Sequence, residues 1–211
     1  MFNNRVDAGQ QLASALEQLT PSRPLVLALP RGGVVVGAEV ARRLACPLDV
    51  LLVKKLRAPE NPELALGAVC EDGSPFINEG VARATGADKT YIEMELSRRR
   101  YEMGEQRRRY RSFKPRITPA GMTAIIVDDG LATGATMIAA VQSVALETPH
   151  RLIVAAPVAA LHTVETIGAM KEVDEILCLL TPKSFGGVGQ FYRNFNQVTD
   201  DEVVDILRRF V

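Results

Sequence analysis

The most chemically informative segment is residues 124–136, Ala-Ile-Ile-Val-Asp-Asp-Gly-Leu-Ala-Thr-Gly-Ala-Thr. An apolar run ends in two adjacent carboxylates, Asp128 and Asp129, and a loop of small and hydroxyl-bearing residues follows. A loop that opens a helix offers free backbone N–H groups and the positive end of the helix dipole to an anion. The carboxylates would repel a phosphate but suit vicinal hydroxyls, or a divalent metal with its waters. A ribose 5-phosphate presents both kinds of group side by side.

A second glycine-containing turn, Pro30-Arg31-Gly32-Gly33, lies between a predicted strand and a predicted helix. Arg31 would supply a charged guanidinium fork, and the backbone amides of Gly32 and Gly33 would face an anion. Taken alone, the turn fits an ordinary strand–helix connection equally well. Its combination with residues 128–136 favours a binding site.

Alternating strands and helices must position these two segments. Apolar periodicity predicts strands over residues 25–29, 49–53, 123–127, 151–157 and 175–180, and helices over residues 7–19, 34–44, 88–111, 137–146, 159–171 and from 200 onward. Residues 56–80 are less regular and predict a loop with a short hairpin. The alternation indicates an α/β fold, a Rossmann-like parallel sheet flanked by helices, which binds ligands beyond the carboxyl ends of its strands. Both glycine turns lie at such ends.

Composition narrows the class of protein further. The chain has 211 residues, of which 47% are hydrophobic and 24% are charged, as expected for one globular domain. The 25 basic and 25 acidic residues balance, which disfavours a generic nucleic-acid binder. The sequence contains no apolar run of about 18 residues, so it predicts no membrane-spanning helix. The three cysteines form no CxxC pair and the N-terminus shows no signal-peptide pattern, so we expect a cytoplasmic protein.

The segment from 124 to 136 resembles the signature by which type I phosphoribosyltransferases bind phosphoribosyl pyrophosphate (PRPP). The resemblance implies that Asp128 and Asp129 hold the ribose 2′- and 3′-hydroxyls and a Mg²⁺ ion, directly or through water. It also implies that the following loop residues bind the 5′-phosphate, namely Ala132, Thr133, Gly134, Ala135 and Thr136. One departure is Gly130, where the family usually has an aliphatic residue.

The resemblance extends to the elements that would bind the diphosphate of PRPP. It implies that Arg31, Gly32 and Gly33 form the pyrophosphate loop, which in the family often contains a strained or cis peptide bond. A basic residue after the second strand, Lys54 or Lys55, would also reach the diphosphate, and we take Lys54 as the candidate. Residues 56–75 fall where the family has a flexible loop that closes over the reacting centre. With the helix that follows, they form a predicted insertion over residues 56–115.

The acceptor end is less clearly marked. Several purine-type family members have an Asp where this chain has Ala132, so the chain is more similar to adenine-type members, which take their acid from the flexible loop. Glu63 and Glu71 are candidates for that acid, although a solvated surface role fits each of them better. Residues 181–211 are the candidate hood over a base, and their aromatic side chains either stack on a heterocycle or pack the C-terminal helix.

The whole chain, read as a single phosphoribosyltransferase-like domain over residues 1–211, resembles a bacterial group of predicted phosphoribosyltransferases with no settled substrate. The implied function is transfer of a phosphoribosyl group from PRPP to a nitrogenous acceptor such as a nucleobase, with Mg²⁺ and release of pyrophosphate. Dimers are common among similar proteins. The alternatives are a PRPP- or nucleotide-sensing regulator that binds RNA or a protein partner, and a ribose-phosphate hydrolase or phosphorylase. The arginine-rich stretch 97–111 motivates the RNA alternative, whereas a solvated or subunit-contacting helix suits the zero net charge better.

Overall fold

The computed structural model describes residues 1–19, 22–71 and 73–210, apart from the side chains of Pro62 and Glu63. The strands in this part of the chain are β1 (Pro24–Ala28), β2 (Leu48–Val50), β3 (Val53–Ala58), β4 (Asn61–Cys70), β5 (Pro75–Ile77), β6 (Thr123–Val127), β7 (Arg151–Val158) and β8 (Glu175–Leu180). The helices are α1 (Arg5–Glu17), α2 (Gly32–Arg43), α3 (Glu79–Ala84), α4 (Lys89–Arg111), α5 (Ala135–Ala145), α6 (Leu161–Gly168) and α7 (Asp200–Arg208).

Five strands form the predicted parallel sheet, in the order β2-β1-β6-β7-β8. Within it, Ala28 at the end of β1 is opposite Val50 of β2 and Val127 of β6. The Leu29 amide then donates to the Val127 carbonyl at 2.9 Å. This register brings the two segments that follow β1 and β6 side by side at one edge of the sheet.

The sheet is buried on both faces, which explains why its strands are continuously apolar rather than alternating. On one face, Val26 and Ile125 pack in the same cluster as side chains from α1, α2, α4 and α7. On the other face, Leu27 and Ile126 pack with side chains from α5 and α6. The turns between strands and helices are therefore carried by a rigid three-layer core.

The segment after β2 differs from the sequence prediction. Residues 49–53 were expected to be one strand, but β2 ends at Val50 and a new strand starts at Val53. Strands β3, β4 and β5 form a separate antiparallel sheet where a loop with a short hairpin was predicted. Register shifts around Arg57 interrupt the pairing of β3 with β4, and this irregularity hid the alternation of a half-buried strand. Closure of this segment over the site stays a prediction.

The predicted helices are confirmed with small differences at their ends. Asp88 caps α4 through a bond from the Tyr91 amide at 2.8 Å. The sequence reading missed the short helix α3 and a 3₁₀ turn at Val188–Phe191. Among the described residues, no helix combines the length and the apolar character that a bilayer crossing requires.

Candidate functional site

The two glycine turns end in helices whose first turns have no side-chain cap within the described residues. Helix α2 starts after Arg31 and α5 starts after Gly134, and neither residue caps its helix with a side chain. Four other helices are capped by polar side chains, α1 by Asn4, α3 by Asn78, α4 by Asp88 and α7 by Thr199, whereas α6, which follows Ala160, also has no side-chain cap. The first backbone N–H groups of α2 and α5 are thus available to an external anion.

The loop between β6 and α5 is fixed from below by Thr163 of α6. Its hydroxyl donates to the Ala132 carbonyl at 2.5 Å. Gly134 has φ of 74°, and a Cβ there would lie 2.6 Å from the Thr163 methyl carbon, so only glycine fits. The side chains of Thr133 and Thr136 are exposed. A cavity of about 180 Å³ is lined by residues 130–137 together with Asp128 and Val188.

Asp128 and Asp129 follow β6 directly and lie in different environments. Asp128 Oδ1 accepts the Asp129 amide at 2.8 Å. Burial and the negative charge of Asp129 raise the pKa of Asp128 well above its usual range. Asp129 Oδ2 accepts a hydrogen bond from Arg5 Nε at 2.6 Å, with only 15% and 11% of the two side chains exposed. The pair therefore combines a desolvated carboxyl with an ion-paired one.

The turn 30–33 packs directly against these acids. A Cβ on Gly32 would lie 1.9 Å from Asp129 Oδ2, and one on Gly33 would lie 2.8 Å from the Val127 carbonyl oxygen. The Pro30–Arg31 peptide bond is cis, as the resemblance had implied. Two turns separated by nearly a hundred residues thus form one continuous surface at the carboxyl edge of the sheet.

The two predicted cations border this surface from another side. Arg31 Nη1 lies 3.9 Å from Asp200 Oδ2 at the start of α7. Lys54 lies within β3 rather than at the end of a parallel strand, and burial lowers its pKa. The charges that act on Lys54 are, in decreasing order, those of Glu102, Arg99, Asp200 and Arg31. Lys55 is on the opposite face of β3 from Lys54, because successive strand residues alternate in direction.

Comparison with known proteins identifies the family. The family model of the phosphoribosyl transferase domain matches residues 3–195. The chain belongs to the phosphoribosyltransferase family. Two proteins of Mycobacterium tuberculosis, from strains H37Rv and CDC 1551, are each named "Putative phosphoribosyl transferase" and are 44% identical to it over 209 residues. That match covers 99% of this chain and 47% of each relative, so the chain spans about half the length of these curated relatives.

Solved structures share the fold. The crystal structure of TT1426 from Thermus thermophilus superposes with a TM-score of 0.93 and 45% identity, over 100% of this chain and 99% of that one. A hypothetical protein from Neisseria gonorrhoeae, crystallised with bound ppGpp, gives a TM-score of 0.51 at 10% identity, over 99% and 98% of the two chains. At that identity the second likeness concerns the fold alone. The fold of this phosphoribosyltransferase domain is the α/β fold with a parallel sheet flanked by helices that the sequence predicted.

Two side chains that the sequence analysis did not connect with the acids, those of Arg5 and Tyr192, contact Asp129. Arg5, besides pairing with Asp129, lies 3.8 Å above the Phe195 ring centroid and donates to the Asn196 carbonyl at 2.7 Å. The Tyr192 hydroxyl donates to the Asp129 backbone carbonyl at 2.6 Å. Arg5 and Asp129 are 124 positions apart, and no spacing rule connects them. The one available signal was the resemblance of the whole chain to the bacterial group, which begins with Phe2-Asn3-Asn4-Arg5.

The C-terminal segment reaches the site in an unexpected way. Four of its aromatic side chains, Phe185, Phe191, Tyr192 and Phe195, form a separate cluster with Phe2 and Val158, whereas Phe210 packs with the main core that contains α7. Phe185 stacks on Phe191 with ring centroids 5.4 Å apart. The departure at Gly130 also has a reason here, because a Cβ would lie 2.4 Å from Val188 Cγ1. The missing side chain lets this segment approach the loop after β6.

Of the two glutamates considered as acids, Glu71 has a structural partner. It accepts two hydrogen bonds from Arg111, at 2.6 and 2.7 Å, and its side chain is only 9% exposed. It does not line the cavity at residues 130–137. The Glu63 side chain lies outside the described residues.

Most of the arginine side chains of α4 bind other groups of the same chain. Their partners are Glu95 and Glu102 for Arg99, the Gly73 carbonyl for Arg100, Asp200 and Asp201 for Arg109, and Asp49 and Glu71 for Arg111. Such contacts favour a structural role for this helix over the RNA-binding alternative.

Proposed function

We propose that the chain transfers a phosphoribosyl group from PRPP to a nitrogen atom of an acceptor, a nucleobase, and releases pyrophosphate. The observation that carries the proposal is the packing of the 30–33 turn against Asp128 and Asp129, with the 132–136 loop continuing from them. The 30–33 turn would then be an anion site, the two acids a site for a diol, and the 132–136 loop a second anion site, in that order across the edge of the sheet. PRPP has the same order of groups: diphosphate, ribose hydroxyls and 5′-phosphate.

In this reaction a nitrogen lone pair forms a bond to the ribose C1 atom while the bond from C1 to the diphosphate oxygen breaks. The electron pair of the broken bond leaves with pyrophosphate, and the proton of the attacking nitrogen passes to solvent. Arg31, Lys54 and the amides of Gly32 and Gly33 would stabilise the negative charge that grows on the leaving group. The 132–136 loop would hold the phosphate, and the two acids would orient the ribose.

The acids suit a Mg²⁺ ion bound mainly through substrate and water. Asp129 Oδ2 accepts a hydrogen bond from Arg5, and Asp128 Oδ1 accepts one from the Asp129 amide, so both carboxyl groups already have protein partners. No group of three or more His, Cys, Asp or Glu side chains within the described residues could hold a metal. Mg²⁺ commonly binds through one or two carboxylates together with substrate phosphates and waters. Here the ion would supply charge neutralisation for the diphosphate.

A cavity of about 570 Å³ beside the loop is our candidate for the acceptor pocket. Ala132 and Thr133 line it on one side, and Pro182, Lys183 and Phe185 line it on the other. The Phe185 ring offers a stacking surface for a heterocycle. The cavity shares Ala132 and Thr133 with the phosphate loop, so an acceptor there would lie next to bound PRPP.

The proposal is tested by measuring pyrophosphate release from PRPP and Mg²⁺ with a panel of purine and pyrimidine bases. We expect release that depends on one base or a small group of bases and that produces the matching nucleotide. Release without any added base would instead show a hydrolase. No turnover with any base, despite PRPP binding, would contradict the transferase and favour the sensing alternative.

A matched pair of lysine variants tests the role of the diphosphate side. Lys54→Gln should reduce turnover about tenfold or more, since one charge at a developing anion contributes roughly 1–3 kcal/mol. Lys55→Gln, on the opposite face of β3, should retain turnover within about twofold. Equal losses in the two variants would show that Lys54 has no special position.

A further inference from the structure

A carboxylate lies among cations next to the diphosphate side of the candidate site. Asp200 Oδ2, at the start of α7, is 3.9 Å from Arg31 Nη1 and 3.6 Å from Arg109 Nη1. The Tyr110 hydroxyl donates to the other carboxylate oxygen. Guanidinium groups from two separate elements thus converge on a single oxygen atom.

The two guanidinium contacts to Asp200 are loose. Both distances exceed the 2.7–3.2 Å range of N–H···O hydrogen bonds, so the attraction is electrostatic. The side chains of Asp200, Arg31 and Arg109 are 25%, 37% and 47% exposed, which leaves the cluster open to solvent. Arginine forks bind carboxylate and phosphate oxygens by the same geometry. An incoming phosphate oxygen can therefore compete for the place that Asp200 holds.

Helix α7 does not depend on Asp200 for its position. Val203 and Leu207 are buried in the main core. Thr199 and Glu202 form a reciprocal capping box at the first turn. These contacts keep the helix docked when Asp200 Oδ2 gives up its arginine contacts, while the Tyr110 hydroxyl holds the other carboxylate oxygen and Arg109 also hydrogen-bonds Asp201.

We propose that Asp200 occupies part of the subsite for the leaving diphosphate, and that bound diphosphate displaces it and recruits Arg109 as a second guanidinium ligand beside Arg31. This inference rests on the proposed function, because it assumes that Arg31 binds the diphosphate. It assigns α4 a part in binding substrate that neither glycine turn indicates. Asp200 would then weaken binding of the diphosphate, and Arg109 would strengthen it.

Lys54 supports the same location. Burial is the main cause that lowers its pKa, and the charges of Glu102, Arg99, Asp200 and Arg31 act on it in decreasing order. Displacement of Asp200 by a diphosphate would exchange one anion for a more highly charged one among the same cations. The local charge balance therefore favours the exchange.

The test is calorimetric titration of PRPP and of inorganic pyrophosphate, each with Mg²⁺, on the full chain. Asp200→Asn should bind both ligands about three- to tenfold more tightly, and Arg109→Gln should bind them more weakly by a similar factor. Asp205→Asn and Arg108→Gln change the net charge equally on the same helices, at side chains that are 65% and 73% exposed. These two controls should stay within about twofold of wild type.

The double variant Asp200→Asn/Arg109→Gln separates competition from a purely structural role. If Asp200 weakens binding by occupying Arg109, the gain from Asp200→Asn should shrink when Arg109 is absent. A structural role would change the melting temperature without this dependence. Asp200→Ser provides a second uncharged variant should Asp200→Asn fold poorly.

The results distinguish failure of this inference from failure of the proposed function. Wild type that binds PRPP, with Asp200→Asn and Arg109→Gln unchanged or shifted in the opposite directions, overturns the inference and leaves the proposed function intact. Wild type that binds neither PRPP nor pyrophosphate overturns both. The predicted opposite shifts, with flat controls, support both.

Discussion

Gly32 connects the two halves of the candidate site at the scale of a single residue. Its missing side chain lets the 30–33 turn lie against Asp129 and its partner Arg5. A methyl group would overlap the carboxylate and displace the ion pair, since the Cβ position is 1.9 Å from Asp129 Oδ2 and 2.7 Å from Arg5 Nε. The adjacency that supports the proposed function therefore depends on this glycine.

Gly32→Ala is accordingly expected to weaken PRPP binding about tenfold or more, because the diol and diphosphate elements can no longer pack together. Gly104→Ala is the matched control, because nothing lies within 4 Å of a Cβ at that helical position. The control should keep its PRPP affinity and gain about 0.5–1 kcal/mol of unfolding free energy. Calorimetric titration and thermal melts measure the two quantities. Unchanged affinity in Gly32→Ala would refute the close packing.

The residue scale also shows what a sequence can reveal about a site. The pattern at residues 128–136 was readable because a buried strand, two acids, a hydroxyl and a glycine follow at short, fixed spacing. Arg5 was not readable in this way, since its partner Asp129 is distant along the chain and an arginine near a terminus has many possible roles. The side-chain contacts of Asp200 were hidden for the same reason. Residue spacing therefore predicts groups that are close along the chain, whereas contacts between distant residues are seen only in the folded structure.

At the scale of elements, α4 is anchored to the sheet through Arg111. Its guanidinium hydrogen-bonds Asp49 Oδ1 at 2.6 Å and also both carboxylate oxygens of Glu71. Asp49 is fully buried and accepts the amides of Val50 and Ile117 as well. These hydrogen bonds connect the end of α4 to β2, to Glu71 just after β4, and to the segment that leads into β6.

Arg111→Ala should lower the free energy of unfolding by roughly 3–5 kcal/mol, because it leaves a buried carboxylate without its cation. Arg107→Ala, at an exposed position of the same helix, should change it by less than about 0.5 kcal/mol. Chemical denaturation of the two variants makes the comparison. Similar small effects in both would contradict the anchoring role of Arg111.

The elements that the sequence predicted poorly have a common physical cause. Strands of the parallel sheet are apolar on both faces, so continuous runs such as residues 123–127 stand out. Strands β3 to β5 are short or bulged and contain lysine, proline and glycine, so no regular period survives. Lys54 was proposed as a cation of the diphosphate side through the family resemblance alone, and its strand was not predicted.

At the scale of the whole molecule, residues near the N-terminus contact the segment around Tyr192 beside the candidate site. Phe2 pairs with Tyr192 through a bridge and a ring contact of 5.4 Å. The same association brings Arg5 to Asp129 and Tyr192 to its backbone. The candidate site is therefore complete only in the folded domain, since the acids, Arg5 and Tyr192 come from distant parts of the chain.

The cysteines report on the same global fold. Burial raises the pKa of Cys46 and of Cys178 to about 11, and Cys70 is buried. Since the thiolate is the reactive form, only about one thiol in a thousand at Cys46 or Cys178 is ionised at pH 8. We expect slow alkylation by iodoacetamide in the native protein, acceleration as the pH rises toward 11, and fast reaction in denaturant at pH 8. Fast native labelling at pH 8 would contradict the burial of these side chains.

We propose that Asp128, Asp129 and the 132–136 loop form a PRPP site. Calorimetric titration of PRPP with and without Mg²⁺ is the most direct test. The comparison is between wild type, Asp128→Asn/Asp129→Asn, and the exposed control Glu93→Gln/Asp205→Asn, which replaces the same number of carboxyl groups. We expect Mg²⁺-assisted binding in wild type and in the control, and its loss in the variant of the two adjacent acids. Equal binding by all three proteins, or none by wild type, would contradict the assignment of this site to PRPP.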